Sequence, residues 1–178
     1  MRSLAIAASL FLAACAGKPS LDDASIGTRQ LNLEEFFQGE TIARGQFQDI
    51  FGTVRRRFDV EIDGEWDGRT LTLTEDFVYE DGSTERRVWS LVKTGPDSWS
   101  GSAPGVVGVA SGTEKGDAFN WKYTIDLPIP SADGTTETIR VSFDDWMWLM
   151  SDDRLLNRAY VTRFGLDIGE VIIWFEKS

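Results

Sequence analysis

Apolar and polar residues alternate along most of the chain from Gly39 onward. Successive side chains of a β-strand point to opposite faces of a sheet, so this period of two predicts strands with one buried face. The apolar positions of the clearest segments are Val54, Phe58, Val60 and Ile62; Leu71, Leu73, Phe77 and Tyr79; Phe119, Trp121, Tyr123, Ile125 and Leu127; and Ile139, Val141 and Phe143, while Ile172 and Trp174 lie in a final apolar strand.

Turn-forming residues separate these segments. They are Asp63-Gly64, Asp67-Gly68, Asp81-Gly82, Gly95-Pro96, Lys115-Gly116-Asp117 and Asp133-Gly134. Short strands spaced in this way predict an all-β, mostly antiparallel fold: a lipocalin-like barrel or a strongly curved sheet of roughly eight to ten strands. Helices are expected to be short, with one turn within Leu31 to Phe37 and another candidate within Ser151 to Arg158.

The N-terminus has the three parts of a bacterial export signal in the expected order. Arg2 supplies a positive charge, Leu4 to Leu12 form a short apolar run, and the small residues Ala13 and Ala14 follow. As a helix, the run would span about 13 Å, less than half of the ~30 Å hydrocarbon core of a bilayer. We therefore predict a signal peptide over residues 1–14 and no permanent membrane span from this segment.

Leu12-Ala13-Ala14-Cys15 resembles the lipobox of bacterial lipoproteins, which implies cleavage before Cys15 and acylation of its thiol. The alternative is an ordinary secreted protein with a chance cysteine at the cleavage site. Residues 15–30 are predicted to be a lipidated flexible tether, and residues 31–178 a single barrel-like domain. The resemblance, with Ala16 rather than Asp after the cysteine, implies a lipid anchor in the outer membrane facing the periplasm.

Composition excludes several classes of chemistry. The chain has no histidine and one cysteine, which removes Ser-His-Asp and Cys-His catalysis, His-ligated zinc and any disulfide within the chain. A net charge of −11 opposes binding to nucleic acid. We predict no cofactor and no metal site, and the sequence indicates no particular protein partner.

Several motifs spread over residues 35–178 are similar to those of one family. The most specific are Phe143-Asp144-Asp145-Trp146-Met147 and Leu156-Asn157-Arg158-Ala159, supported by Leu73-Thr74-Glu75-Asp76-Phe77 and Arg87-Val88-Trp89. In these motifs the chain resembles proteobacterial lipoproteins with the domain of unknown function 3833. The resemblance implies a lipoprotein of the cell envelope and leaves its activity unassigned.

Four charged residues interrupt the apolar side of predicted strands: Glu75, Arg87, Asp145 and Arg163. An isolated buried charge costs several kcal/mol, so we expect Glu75 and Asp145 each to lie within salt-bridge range of Arg87 or Arg163. Three roles stay open for them. They could form a structural ion-pair network inside the barrel or the polar floor of a ligand pocket, or a carboxylate could act as a general base.

The seven tryptophans are the second candidate feature, with Trp89 and Trp121 expected to face the lumen beside these charges. Large inward aromatics either fill a barrel or line a cavity for an apolar guest. The leading hypothesis is an anchored lipoprotein that binds a lipid or other apolar molecule. The alternatives are a structural or protein-interaction lipoprotein with a filled barrel, and a cofactor-free lipid-modifying enzyme. A lumen above roughly 300 Å³ would favour binding.

Overall fold

The computed structural model describes residues 17–23, 28–130 and 135–178. The predicted signal peptide, Cys15 and the Asp133-Gly134 turn lie outside the described residues. Within those three ranges, no helix is both long and apolar enough to cross a membrane.

The described residues form one short helix followed by ten antiparallel strands that close into a barrel. Each strand pairs with its neighbours in sequence, and β1 closes the barrel by pairing with β10. The prediction of an all-β, lipocalin-like barrel is therefore confirmed. The elements are α1 Leu33–Phe37, β1 Gly39–Asp49, β2 Val54–Trp66, β3 Thr70–Tyr79, β4 Thr84–Gly95, β5 Ser98–Ser102, β6 Ala110–Lys115, β7 Ala118–Pro130, β8 Thr136–Ser151, β9 Arg154–Arg163 and β10 Leu166–Lys177.

The alternation of the sequence determines which side chains face the lumen. Along β7, Trp121 and Tyr123 line the lumen, while Lys122 between them points outward because successive side chains alternate. Strand β8 continues the same face, since Asp145 pairs with Trp121 and Phe143 pairs with Tyr123. A polar residue in phase with apolar neighbours is thereby carried into the barrel interior.

Helix α1 closes one end of the barrel. Its three apolar residues are buried, and the ring of Phe37 packs edge-on against that of Phe175, with centroids 5.6 Å apart. The backbone N–H of Leu33 donates a hydrogen bond to the buried carboxylate of Glu114 at 2.5 Å. These contacts confirm the predicted helical turn and seal the end of the barrel at which β1 begins.

Asp63-Gly64 is not a turn, contrary to the prediction. Strand β2 continues through it to Trp66, because the pairing with β3 is unbroken from Phe58 to Trp66. The glycine serves another purpose there. A Cβ on Gly64 would lie 1.7 Å from the carbonyl oxygen of Phe37, so only glycine lets α1 approach the barrel this closely.

The short helix proposed within Ser151 to Arg158 is also wrong. Strand β8 ends at Ser151, a tight turn follows, and β9 begins at Arg154. Leu155 and Asn157 are buried, whereas Arg154 and Arg158 are exposed. This period of two favours a strand that pairs with β8, and it outweighs the helical appearance of the segment.

The tryptophans divide between the two faces of the barrel, and the two that are expected to face the lumen, Trp89 and Trp121, both line the cavity. Trp66 packs against Trp99 at 5.8 Å, and Trp89 packs against Trp121 at 5.7 Å, all on the inner side. The other three lie on the outer face, since they alternate with residues that line the lumen, although one of them, Trp146, is buried there. They are Trp146, Trp148 and Trp174.

Residues 17–23 lie against the outside of the barrel. The ammonium group of Lys18 is 2.9 Å from the carboxylate of Asp167, and Asp22 is 3.0 Å from Lys115 at the other end. Exposed ion pairs of this kind contribute only about 0–1 kcal/mol each. The flexible tether over residues 15–30 therefore stays a prediction.

Candidate functional site

A cavity of about 360 Å³ occupies the lumen. It begins beneath Leu33 and Phe37 of α1 and extends to the opposite end of the barrel, where Leu127 and Ile168 line it. We call that opposite end, at which β1 ends, the open end. Apolar side chains dominate the walls, and the volume lies within the range of about 300–1,000 Å³ typical of small-molecule sites.

Four ionisable side chains meet on the wall of this apolar cavity: Glu75, Arg87, Tyr123 and Asp145. Glu75 on β3 and Arg87 on β4 are direct cross-strand partners. Tyr123 on β7 and Asp145 on β8 complete the group, and the ring of Trp89 connects its two halves by packing 5.0 Å from that of Tyr123. We refer to the four as the lumen polar cluster.

Asp145 is a protonated acid at neutral pH. Burial raises its pKa to about 8, the charges of Asp144 and Glu75 act in the same direction, and a hydrogen bond from Tyr123 opposes them. Its Oδ1 atom is buried and has no hydrogen-bond partner within the described part of the chain. A neutral carboxyl group with an unused polar atom therefore lies on the lumen wall.

Glu75 is close to half-ionised at neutral pH. Burial raises its pKa to about 7, although the nearby charge of Arg87 lowers it and that of Glu85 raises it further. The cavity thus holds one neutral acid and one acid that exchanges its proton near pH 7. Such a pair can both donate and accept hydrogen bonds, and it also has the pKa values suited to proton transfer.

Arg87 is paired within its own strand. Its guanidinium group lies 2.6 Å from the carboxylate of Glu85, and Glu85 also accepts a hydrogen bond of 2.8 Å from the Tyr79 hydroxyl. Burial favours a higher pKa for Glu85, but the charge of Arg87 and these hydrogen bonds outweigh it and lower the pKa. Glu85 therefore balances the charge of Arg87.

The predicted pairing of the inward carboxylates is wrong. Among the ion pairs of the described residues, none within 4.0 Å involves Glu75 or Asp145. The expected partner Arg87 contacts Glu85 instead. Burial raises the pKa of both carboxyl groups, so that Asp145 keeps its proton at neutral pH and Glu75 keeps it part of the time. Holding a proton is the alternative to ion pairing in an apolar interior.

Arg163 does not face the lumen, which corrects a second prediction. It is the last residue of β9 and is exposed, with its guanidinium 5.1 Å from the ring centroid of Phe164 in the turn that follows. Arg163 is in phase with Val161, which does line the cavity. Because the strand ends at Arg163, its side chain lies at the rim of the barrel rather than in the interior.

The cavity wall thus contains five of the six residues selected as lumen-facing: Glu75, Arg87, Trp89, Trp121 and Asp145. Sequence reasoning overlooked several polar members of the wall, Asn157 among them, and three of them show the signal that was missed. Tyr123 follows the apolar phase of Trp121, Glu85 precedes Arg87 by two positions, and Arg56 precedes Phe58 by two. The same period of two that identified Glu75 would have identified all three.

The closed antiparallel barrel around an apolar lumen is a lipocalin-like fold. An S-type phycobiliprotein lyase from Guillardia theta has a similar fold, with a TM-score of 0.59 and 12% identity over 83% of this chain and 93% of that chain. A DUF3598-family protein of unknown function from Nostoc punctiforme has a TM-score of 0.51 and 12% identity over 92% of this chain and 53% of that chain. These likenesses show the fold alone.

The chain belongs to the DUF3833 family, described as proteins of unknown function. The match covers residues 9–177, nearly the whole sequence. No curated protein matches the sequence.

Proposed function

We propose that the barrel binds one neutral, apolar or amphipathic small molecule in its lumen. Asp145 carries the proposal, because its carboxyl group is buried in an otherwise apolar cavity and its Oδ1 atom has no partner among the described residues. Leaving a buried polar atom unsatisfied costs about 1–3 kcal/mol. A ligand group that hydrogen-bonds Asp145 would remove this cost on binding.

The charges of the cavity favour a neutral ligand. Arg87 is balanced by Glu85, Asp145 is protonated at neutral pH because burial raises its pKa to about 8, and Glu75 carries part of a negative charge. An anionic head group beside the lumen polar cluster would meet this carboxylate. The other cation of the cavity wall, Arg56, lies 3.8 Å from the carboxylate of Asp81. A hydroxyl, carbonyl or ester oxygen could instead accept a hydrogen bond from protonated Asp145, and a hydroxyl group could also donate one to Glu75.

The volume of the lumen opposes the filled-barrel alternative. A structural plug requires side chains packed at the density of a protein interior, whereas about 360 Å³ stays open between α1 and the open end. This volume exceeds the roughly 300 Å³ above which a lumen favours ligand binding.

A matched pair of fluorescent probes tests the proposal. N-phenylnaphthylamine is neutral, whereas anilinonaphthalene sulfonate carries a permanent negative charge on a similar aromatic frame. We expect the neutral probe to bind at one site per chain and the sulfonate to bind at least tenfold more weakly, a difference of about 1.4 kcal/mol. Absence of saturable binding by the neutral probe would refute lumen binding, and equal affinities would refute the preference for a neutral ligand.

We also propose that this domain is held at the outer membrane by lipid on Cys15, as the lipobox resemblance implies. Two or three acyl chains would make the anchor effectively permanent. Metabolic labelling with a fatty-acid analogue should mark the wild-type chain and leave Cys15→Ser unmarked. Equal labelling of both chains would eliminate the anchor.

A further inference from the structure

Two neighbouring turns at the open end expose large apolar side chains. The β1–β2 turn presents Ile50 and Phe51, which are 60% and 85% exposed, and the β9–β10 turn presents Phe164 and Leu166, which are 90% and 71% exposed. Because β1 pairs with β10, the two turns are adjacent. We call these four residues the apolar tips.

Phe164 occupies a strained backbone conformation. Its φ is 53°, and it is the one non-glycine residue with positive φ in the described ranges. Gly165 beside it has a φ of 78°, so the pair forms a turn of the kind that favours Asn-Gly. A bulky aromatic in this position gains no burial in return for its strain, which indicates a role outside the folding of the barrel.

The turns at the other end of the barrel, which α1 covers and which we call the closed end, carry polar residues instead. They contain Asp67-Gly68-Arg69, Pro96-Asp97, Gly116-Asp117 and Asp152-Asp153. The large apolar residues in turns are therefore confined to the end at which the cavity opens. Contiguous exposed apolar groups of this kind are typical of surfaces that contact another phase or molecule.

We propose that the apolar tips insert into the interfacial region of a phospholipid bilayer and direct the open end of the barrel towards the membrane. Phenylalanine, leucine and isoleucine gain free energy by entering this region, and a basic residue behind them suits the phosphate layer. Arg163 has that position, 5.1 Å from the ring of Phe164. Within the described residues it takes part in none of the ion pairs.

The path of the N-terminal segment also supports this orientation, given the lipid anchor on Cys15 that is proposed above. Lys18 lies 2.9 Å from Asp167, one residue beyond the apolar tip Leu166, and 5.2 Å from the ring centroid of Tyr160. Only three peptide links join Cys15 to Lys18, a reach of about 10 Å. A lipid on Cys15 would therefore enter the membrane at the same end of the barrel as the apolar tips.

A bilayer fits this surface better than a second copy of the chain does. Stable protein interfaces bury about 1,200–2,000 Å², far more than four side chains on two turns provide. Two copies with a net charge of −11 each would also repel one another. The inference does not depend on a ligand in the lumen, although it would place the cavity mouth where a lipid could pass from the bilayer.

The orientation can be measured with one fluorescent label. Cys15→Ser removes the only native cysteine of the full-length chain. In that background, Phe164→Cys introduces one cysteine at an apolar tip, and Asp152→Cys introduces one at the closed end as the control. Each variant is labelled with a single nitrobenzoxadiazole group. With phosphatidylcholine vesicles that contain doxyl-labelled lipid, we expect quenching at position 164 and none at 152. Equal quenching at the two positions, or no quenching at 164, would overturn the proposal.

Further substitutions in the labelled chain test the role of the side chains. Phe51→Ser and Leu166→Ser should each shift the equilibrium between inserted and free tips by about tenfold towards the free state. Met150→Ser, on the outer wall at the other end, should leave it unchanged. Unaltered quenching in Phe51→Ser would contradict insertion. If the fluorescence of the label at position 164 changes with protein concentration in the absence of vesicles, the apolar tips contact a second copy of the chain instead. The probe titration of the lumen contains no vesicles, so the two proposals fail separately.

Discussion

Replacing Asp145 with asparagine is expected to stabilise the protein at alkaline pH and to change its stability little near pH 4. The folded protein holds a proton on Asp145 up to a pKa of about 8, because burial and the charges of Asp144 and Glu75 disfavour the ionised form. The unfolded chain releases that proton near the ordinary value of 3.8. Between these two pH values, the folded state binds more protons than the unfolded state, so its stability falls as the pH rises.

Asparagine lacks this titration, which makes the gain at pH 9 on the order of 3–5 kcal/mol. Thermal unfolding followed by circular dichroism at pH 4 and pH 9 measures it. Asp76→Asn is the matched control, because Asp76 is bonded to Arg86 and its pKa is lowered by that hydrogen bond. The control should lose stability at neutral and alkaline pH. A lower Tm of Asp145→Asn at pH 9 would show that the folded protein stabilises the ionised carboxylate, which would contradict a raised pKa.

Replacing Ala159 with tryptophan is expected to abolish binding of the neutral probe. The methyl group of Ala159 lines the cavity beside Asp145, its cross-strand partner. An indole ring at this position would occupy a large part of the lumen and cover the carboxyl group. We expect the affinity for N-phenylnaphthylamine to fall by at least a hundredfold, about 2.7 kcal/mol, while the β-sheet circular dichroism spectrum is retained.

Met150→Trp provides the control for the added indole. Met150 points outward near the end of β8 and is 47% exposed, so a tryptophan there enlarges a side chain without entering the lumen. Its affinity for the probe should equal that of the wild type. If Ala159→Trp folds and binds the probe as well as Met150→Trp does, the probe occupies some other site.

The period of two explains why so much of the barrel could be predicted from the sequence. Each strand of the barrel has one buried face, and the apolar residues at every second position show which face it is. Glu75 and Asp145 are placed in the lumen because their apolar neighbours at i−2 and i+2 face that way, and Arg87 because it is in phase with Trp89 and Leu91. The same rule fails at Arg163. The alternation shows which way a side chain of a strand points, but it does not show at which residue the strand ends.

The partners of the inward charges could not be predicted in the same way. Phase places Arg87 and Glu75 on one face, but it does not show that Glu85, two residues earlier, lies closer to the guanidinium group. The alternation also does not show whether a buried carboxyl group forms an ion pair or keeps its proton, because that depends on distances across the barrel. The open volume of the lumen likewise depends on packing in three dimensions.

Native mass spectrometry of the protein extracted gently from the cell envelope tests the central claim most directly, because it shows what the lumen holds in the cell. The wild-type chain is expected to carry one small, neutral, apolar or amphipathic molecule per chain. The Ala159→Trp variant, prepared in the same way, should lack it. If the extracted wild-type chain carries no more mass than the extracted variant, after correction for the substitution, binding in the lumen is contradicted.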